Sequence, residues 1–318
     1  MASLTTSLRA AQGARRARRD SGRQASASVR SLISPAQLNR AHNRLVYRIV
    51  LTLVVVVSTL VFIGPLYFLF TDGLKSTQEA ITSPPTLYPH HVHVSNYSSA
   101  WRLMSIGSLL KNTLYYAFGA LFFQLLFDVT AAYAISRLRP VLGNVIFAMM
   151  LVTLMIPATV LLVPQYLTVA SLPIVHINLI GTPEAIWLPS VTNAFNIFLL
   201  KRFFDSIPRE LLDAAAIDGA SPLRTLLRIV VPISRPILAV VSIFGLVAVW
   251  KDFLWPLLVE SGYSPTRETL NVGIYQANTS PTNLVLAASA MAAIPTVVFF
   301  LIFQRNIMAG LTAGGIKS

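Results

Sequence analysis

Residues 207–236 read IPRELLDAAAIDGASPLRTLLRIVVPISRP, a polar interlude between two strongly apolar runs. Its chemistry predicts a helix, a tight turn and a second helix. Ser206 is placed to cap a first helix with Pro208 in its opening turn and Glu210 near its positive end. Leu211, Leu212 and Ala214–Ala216 favour helix. Gly219 offers the left-handed stop, and Ser221-Pro222 starts a new helix as cap and first residue. Pro232 and Pro236 then interrupt the chain. Three consecutive alanines on a short, solvent-facing helix let another protein's surface approach the backbone closely, which marks this element as a docking helix.

Working outward, this loop is flanked by segments apolar enough to cross a bilayer. Six such segments are expected, at about 47–70, 110–135, 141–166, 180–202, 236–259 and 284–304. The composition agrees, since 54% of the 318 residues are apolar and only 12% are charged, about half the share usual in soluble domains. The expected fold is therefore an all-α integral membrane protein, with residues 45–318 as the transmembrane domain and 206–236 as a helix-turn-helix loop. Cysteine is absent, which excludes disulfide scaffolds, zinc–thiolate sites and cysteine nucleophiles.

The net charge of +13 is explained by where the cations lie. Ten of the 25 Lys and Arg residues fall in the first 48 positions, where residues 1–44 read as a disordered basic tail. With the N-terminus inside, 20 cations fall on the cytoplasmic side and four outside, so both termini are expected in the cytoplasm. Membrane orientation accounts for this pattern better than nucleic-acid binding does, and no nucleic-acid partner is expected. The external segment 71–109 is expected to be an irregular cap with a short helix before the second span. Its His90, His91 and His93 have no nearby carboxylate in sequence, so an exposed loop is expected there rather than a metal site.

Polar residues inside the spans are expensive and need a partner or a watery path. Asn193 and Asn196 lie three apart in the weakest span and would share a helix face, either lining a path for a hydroxyl-rich ligand or bonding helices together. Lys251 lies roughly 12 Å in from the outer end of the fifth span, and Asp252 follows it. Two readings stand for that pair, a polar lining of the transport path or a structural ion pair. Asp128 in the second span is expected to pair with a basic residue near the cytoplasmic face.

The run DAAAIDGA (213–220), with Ile229 and Pro232 at their intervals, resembles the EAA loop of ABC-importer permeases. Asp213 stands where Glu is usual and Val231 where Leu is commoner. The segments SLLKNT (108–113), AAYAISRLR (131–139), WKDFLWPL (250–257) and QRNIMAGLTAGGIK (304–317) narrow the resemblance to the maltose-type second permease subunit of carbohydrate importers. Lys251 departs from the Asn more usual there.

The resemblance implies that Asp213, Ala214, Ala215, Gly219, Ile229 and Pro232 form an ATPase-coupling loop. It also implies a second ATPase contact from the C-terminal segment at Gly310, Gly314 and Lys317. The implied partners are a second permease subunit, cytoplasmic ATP-binding subunits, an extracytoplasmic solute-binding lipoprotein or periplasmic protein, and a sugar, in a bacterial cell membrane. Asn193, Asn196, Lys251 and Asp252 are the candidates for the sugar path. No cofactor or metal is expected.

No G-x-x-x-x-G-K-[ST], HExxH or G-x-S-x-G run occurs, so neither ATP binding nor catalysis is expected of this chain itself. A secondary transporter or channel, and an intramembrane enzyme, are the alternatives. They are disfavoured because the two halves show no repeat and no paired catalytic groups emerge.

Overall fold

The computed structural model describes residues 41–262 and 267–313. In chain order the helices are α1 (Ala41–Asp72), α2 (Thr77–Ala80), α3 (Ser95–Leu103), α4 (Ile106–Tyr133), α5 (Gly143–Thr153), α6 (Ala158–Ala170) and α7 (Glu184–Ser190). They continue with α8 (Ala194–Ser206), α9 (Arg209–Ile217), α10 (Pro222–Ile233), α11 (Arg235–Lys251), α12 (Leu254–Glu260), α13 (Leu270–Gln276) and α14 (Thr282–Ala313). No strand occurs among the described residues. The chain divides into two units at Pro65 and Leu66. The first contributes the leading part of α1, and the second contains the rest of the described residues.

The all-helical expectation holds, but the spans are less regular than their apolar lengths imply. Among the described residues, Leu45–Asp72, Ile106–Leu138 and Thr282–Gln304 are each long and apolar enough to cross a membrane. Helix α1 begins at Ala41, so residues 41–44 are helical rather than part of a disordered tail, and residues 1–40 lie outside the described residues. The expected third span is a bent pair, α5 and α6 meeting at 108°. Pro157 lies in that break; it has no N–H to donate and disfavours helical backbone at the residue before it. The fourth expected span is the short α7 followed by α8, with the chain opening at Val191–Asn193. The fifth is α11 and α12, separated at Asp252–Phe253.

Helix α4 lies at the centre of the second unit, packed against α7, α8, α11 and α13. Two glycines permit that closeness. A Cβ at Gly245 would collide with the Gln124 side chain, and one at Gly119 with the Trp187 ring. Small residues at such crossings draw helices together where lipid supplies no hydrophobic drive between them.

One core gathers Val129, Tyr133, Leu200, Phe204, Val230 and Val241 from α4, α8, α10 and α11. A second joins Ile106, Leu109, Trp250, Leu270, Ile274 and Ala287. A third packs Trp255 and Val259 against Tyr116 and Ile186, with the Trp255 indole N–H donating to the Ala185 carbonyl at 2.9 Å.

Segment 73–105 is the expected cap: residues 81–94 have no regular structure and the short helix α3 precedes the second span. The Lys75 ammonium is buried, pairing with Asp72 at 2.5 Å and donating to the Thr86 carbonyl at 2.6 Å. A carboxylate does reach the histidines, because Glu79 lies 2.7 Å from His90 Nδ1. That corrects the reading of sequence proximity. No group of three metal-ligating side chains forms among the described residues.

Candidate functional site

The predicted helix, turn and helix at 206–236 is present as α9 and α10. Helix α9 ends in a Schellman motif. The Gly219 N–H donates to the Ala216 carbonyl at 3.1 Å and the Ala220 N–H to the Ala215 carbonyl at 2.9 Å, with Gly219 left-handed at φ +73°. Ser221 caps α10, its hydroxyl accepting from the Arg224 N–H at 3.4 Å, with Pro222 in first position. Ser206 does not cap α9. Its hydroxyl turns back to the Phe203 carbonyl at 2.7 Å, and Pro208 occupies the cap position without a side-chain bond. Past Pro232 the chain bends by 84° at Ser234 into α11.

The loop has an inner and an outer side. Ala215 is only 6% exposed and faces the body, while Asp213, Ala214 and Ala216 are open to solvent. Large apolar side chains stand out beside them, with Ile217 86%, Leu223 62% and Leu227 58% exposed. Ile229 is half-buried within a single π-helical turn, Leu226–Val230. Pro232 is exposed in the last turn of α10.

A connection that sequence reasoning missed ties this loop to the long helices. Helix α4 closes in a π turn, Ala134–Leu138, in which the Arg139 N–H donates to the Ala134 carbonyl at 2.9 Å. The Arg137 guanidinium at this turn donates to the carbonyls of Phe204 and Ile207, the latter at 2.7 Å. It thereby satisfies carbonyls left open where α8 ends and α9 begins. Beside it, the Ser136 hydroxyl donates to Asp205 at 2.6 Å, and Lys201 pairs with the other carboxylate oxygen at 2.7 Å. Burial alone would raise the Asp205 carboxyl, but the bonds from Lys201 and Ser136 outweigh it and hold the group below the usual carboxylate range. The signal was the AAYAISRLR run, which sequence analysis marked without assigning a job to its Ser and Arg.

The polar residues within the spans do not form one site. Asp128 is fully buried and accepts the Asn193 backbone N–H at 2.9 Å, so its partner is the α7–α8 break and not a basic residue. The Asn193 side chain caps α8, accepting from the N–H groups of Phe195 and Asn196 at 3.0 and 3.2 Å. Asn196 is 1% exposed on the same helix. These two asparagines hold a helix start together; neither lines the cavity that contains Lys251. Asp252 caps as well, accepting from the Trp255 N–H at 3.4 Å across the α11–α12 break, and makes no ion pair with its neighbour. Gly310 lies in α14, and Gly314 and Lys317 lie outside the described residues.

Three helices of membrane-crossing length, with two bent pairs that pass the same test, define a helical multi-pass membrane protein among the described residues. The chain belongs to the family of binding-protein-dependent transport system inner membrane components, which it matches over residues 129–311.

It is 31% identical over 274 residues to the melibiose/raffinose/stachyose import permease protein MelC of Bacillus subtilis (strain 168), covering 85% of this chain and 96% of MelC. It is 32% identical to the sulfoquinovosyl glycerol transport system permease protein SmoH of Agrobacterium fabrum, covering 79% of this chain and 87% of SmoH. The fold matches a chain of a bacterial ABC transporter involved in import of the acidic polysaccharide alginate, with TM-score 0.72 and 22% identity over 84% of this chain and 98% of that one. The chain is thus a multi-pass inner-membrane permease component of an ABC importer, not an enzyme.

Proposed function

We propose that this chain carries a sugar or oligosaccharide across the membrane as one half of a permease pair. An extracytoplasmic binding protein delivers the sugar and cytoplasmic ATPase subunits drive the cycle. The MelC and SmoH likenesses support a sugar-derived cargo. The observation that carries the coupling role is the α9–α10 loop. It is open and apolar on its outer side and hydrogen-bonded through Arg137 and Asp205 to α4 and α8.

Asp213, Ala214, Ala215, Gly219, Ile229 and Pro232 form the loop that the ATPase grips. Alternating access then follows, because ATP and the loaded binding protein each favour one state of the same pair of subunits. The C-terminal segment at Gly310, Gly314 and Lys317 adds a second contact to the ATPase. The reading takes six crossings, with α7 and α8 together as the fourth, and both termini in the cytoplasm; the 20-to-4 distribution of cations supports it.

Two measurements test the reading. Affinity-tagged chain should bring down a second permease and an ATPase whose hydrolysis is stimulated by sugar-loaded binding protein. Reporter fusions at residue 220 should face the cytoplasm and those at residue 90 the exterior. A chain purified without ATPase, or a reporter at 220 on the outside, would sink the proposal.

A further inference from the structure

A cavity of about 580 Å³ opens where α11 breaks, between that break, α13 and α14. Its volume falls within the roughly 300–1,000 Å³ range of small-molecule sites. Trp250, Phe253 and Tyr275 supply aromatic surface, with Phe253 and Tyr275 set edge to face at 5.1 Å. Asn278 supplies an amide that both donates and accepts, and Asn271, whose NH2 group is bonded to backbone carbonyls, supplies an oxygen that accepts. Aromatic faces for the C–H surface of a ring and amides for its hydroxyls are the chemistry that recognises carbohydrate.

Lys251 adds a charge to this lining, and no carboxylate joins it. The adjacent carboxylate, Asp252, is turned to its own helix break and makes no ion pair with Lys251. Asp252 accepts from the Trp255 N–H at 3.4 Å, and the Asn271 amide takes the carbonyls of Trp250 and Asp252 at 3.0 and 3.4 Å. The Lys251 ammonium has no ion-pair partner among the described residues. Lys251 is exposed at the end of α11, on the rim of this cavity, and a cation beside an apolar, membrane-embedded surface favours a counter-charge. The aromatic and amide groups around it point to a bound ligand as the source of that charge.

We propose that this cavity is a subsite for an acidic sugar, whose carboxylate, phosphate or sulfonate pairs with Lys251 while its ring rests on Tyr275 and Phe253. The proposal rests on the permease reading and narrows its cargo to anionic carbohydrates.

The test uses the whole importer in proteoliposomes, with its second permease, ATPase and binding protein. Three probes are offered: a disaccharide bearing one uronate, a hexose 6-phosphate, and a neutral disaccharide. The parent should import at least one acidic probe and leave the neutral one outside; which acidic probe it takes separates carboxylate from phosphate. Lys251→Gln should lower the maximal uptake of that probe by about tenfold or more, and Lys251→Arg should retain it to within about threefold.

Import of the neutral disaccharide alone would overturn the proposal, as would parental uptake of the acidic probe by Lys251→Gln. So would loss of the second permease from the purified Lys251→Gln complex, since Lys251 would then serve the subunit interface. A parent complex that hydrolyses ATP yet imports none of the probes also counts against the acidic cargo. Subunits that never assemble strike instead at the permease reading.

Discussion

Replacing Gly219 with valine isolates the turn between α9 and α10 from every other property of the loop. Gly219 sits at φ +73°, and an added Cβ would meet nothing within 4 Å. Steric collision therefore contributes nothing, and the whole cost is backbone strain. Placing an L-residue in the left-handed region costs roughly 1–2 kcal/mol, and a β-branched side chain lies at or above the top of that range.

About 2 kcal/mol corresponds to a ~30-fold shift against the bonded turn in which Gly219 and Ala220 donate to Ala216 and Ala215. If the ATPase grips only that form, its affinity for the permease should fall by up to that factor, in full where the open form comes to dominate. Asparagine tolerates the left-handed region and should cost little; alanine should fall between.

The assay is titration of purified ATPase onto permease in nanodiscs, with sugar-stimulated hydrolysis measured on the same samples. The expected order is Gly, Asn, Ala, Val, from tightest to weakest. Equal binding and equal stimulation for Gly219→Val and Gly219→Asn would refute the reasoning, since it would show that the turn's geometry does not matter to docking.

Arg137→Lys removes the guanidinium nitrogen whose two N–H groups reach two carbonyls and substitutes an ammonium on a shorter side chain. The ATPase should still bind, while sugar imported per ATP hydrolysed falls several-fold; an unchanged ratio would mean that Arg137 is not part of the connection. Asp128→Ala strips the acceptor from the Asn193 N–H at the α7–α8 break and should destabilise the protein by about 0.5–1.5 kcal/mol, read as a lower unfolding temperature in detergent; an unshifted melt would contradict that role. Gly245→Leu drives a side chain into Gln124 where α4 and α11 touch. It should abolish accumulation of folded protein in the membrane, whereas Gly64→Leu, with nothing within 4 Å of its Cβ, should not.

The helical class, the outward face of the α9–α10 loop and the Gly219 turn were legible in the chain because each depends on local chemistry. Apolar length, left-handed tolerance and cap–proline pairs act within a few residues of one another. Span continuity was not legible, since a hydropathy count registers the apolarity of 141–166 and 180–202 but not the opening at Pro157 or at Asn193. Whether a helix breaks depends on who receives the freed backbone groups, and at Asn193 that is Asp128, 65 residues earlier.

The same distinction separates the polar residues. Asn193, Asn196, Lys251 and Asp252 look alike in a linear reading, each a costly group in an apolar run. Only the structure separates Asn193 and Asp252, whose side chains cap the helices that follow them, from Lys251, which lines a cavity. Arg137 makes the point most clearly. Its sequence says that a cation lies at the inner end of a span, which sets orientation. That it binds the carbonyls of Phe204 and Ile207 is decided by the fold alone, because hydrogen bonds to residues about 70 positions away exist only once α4 and α8 have packed together.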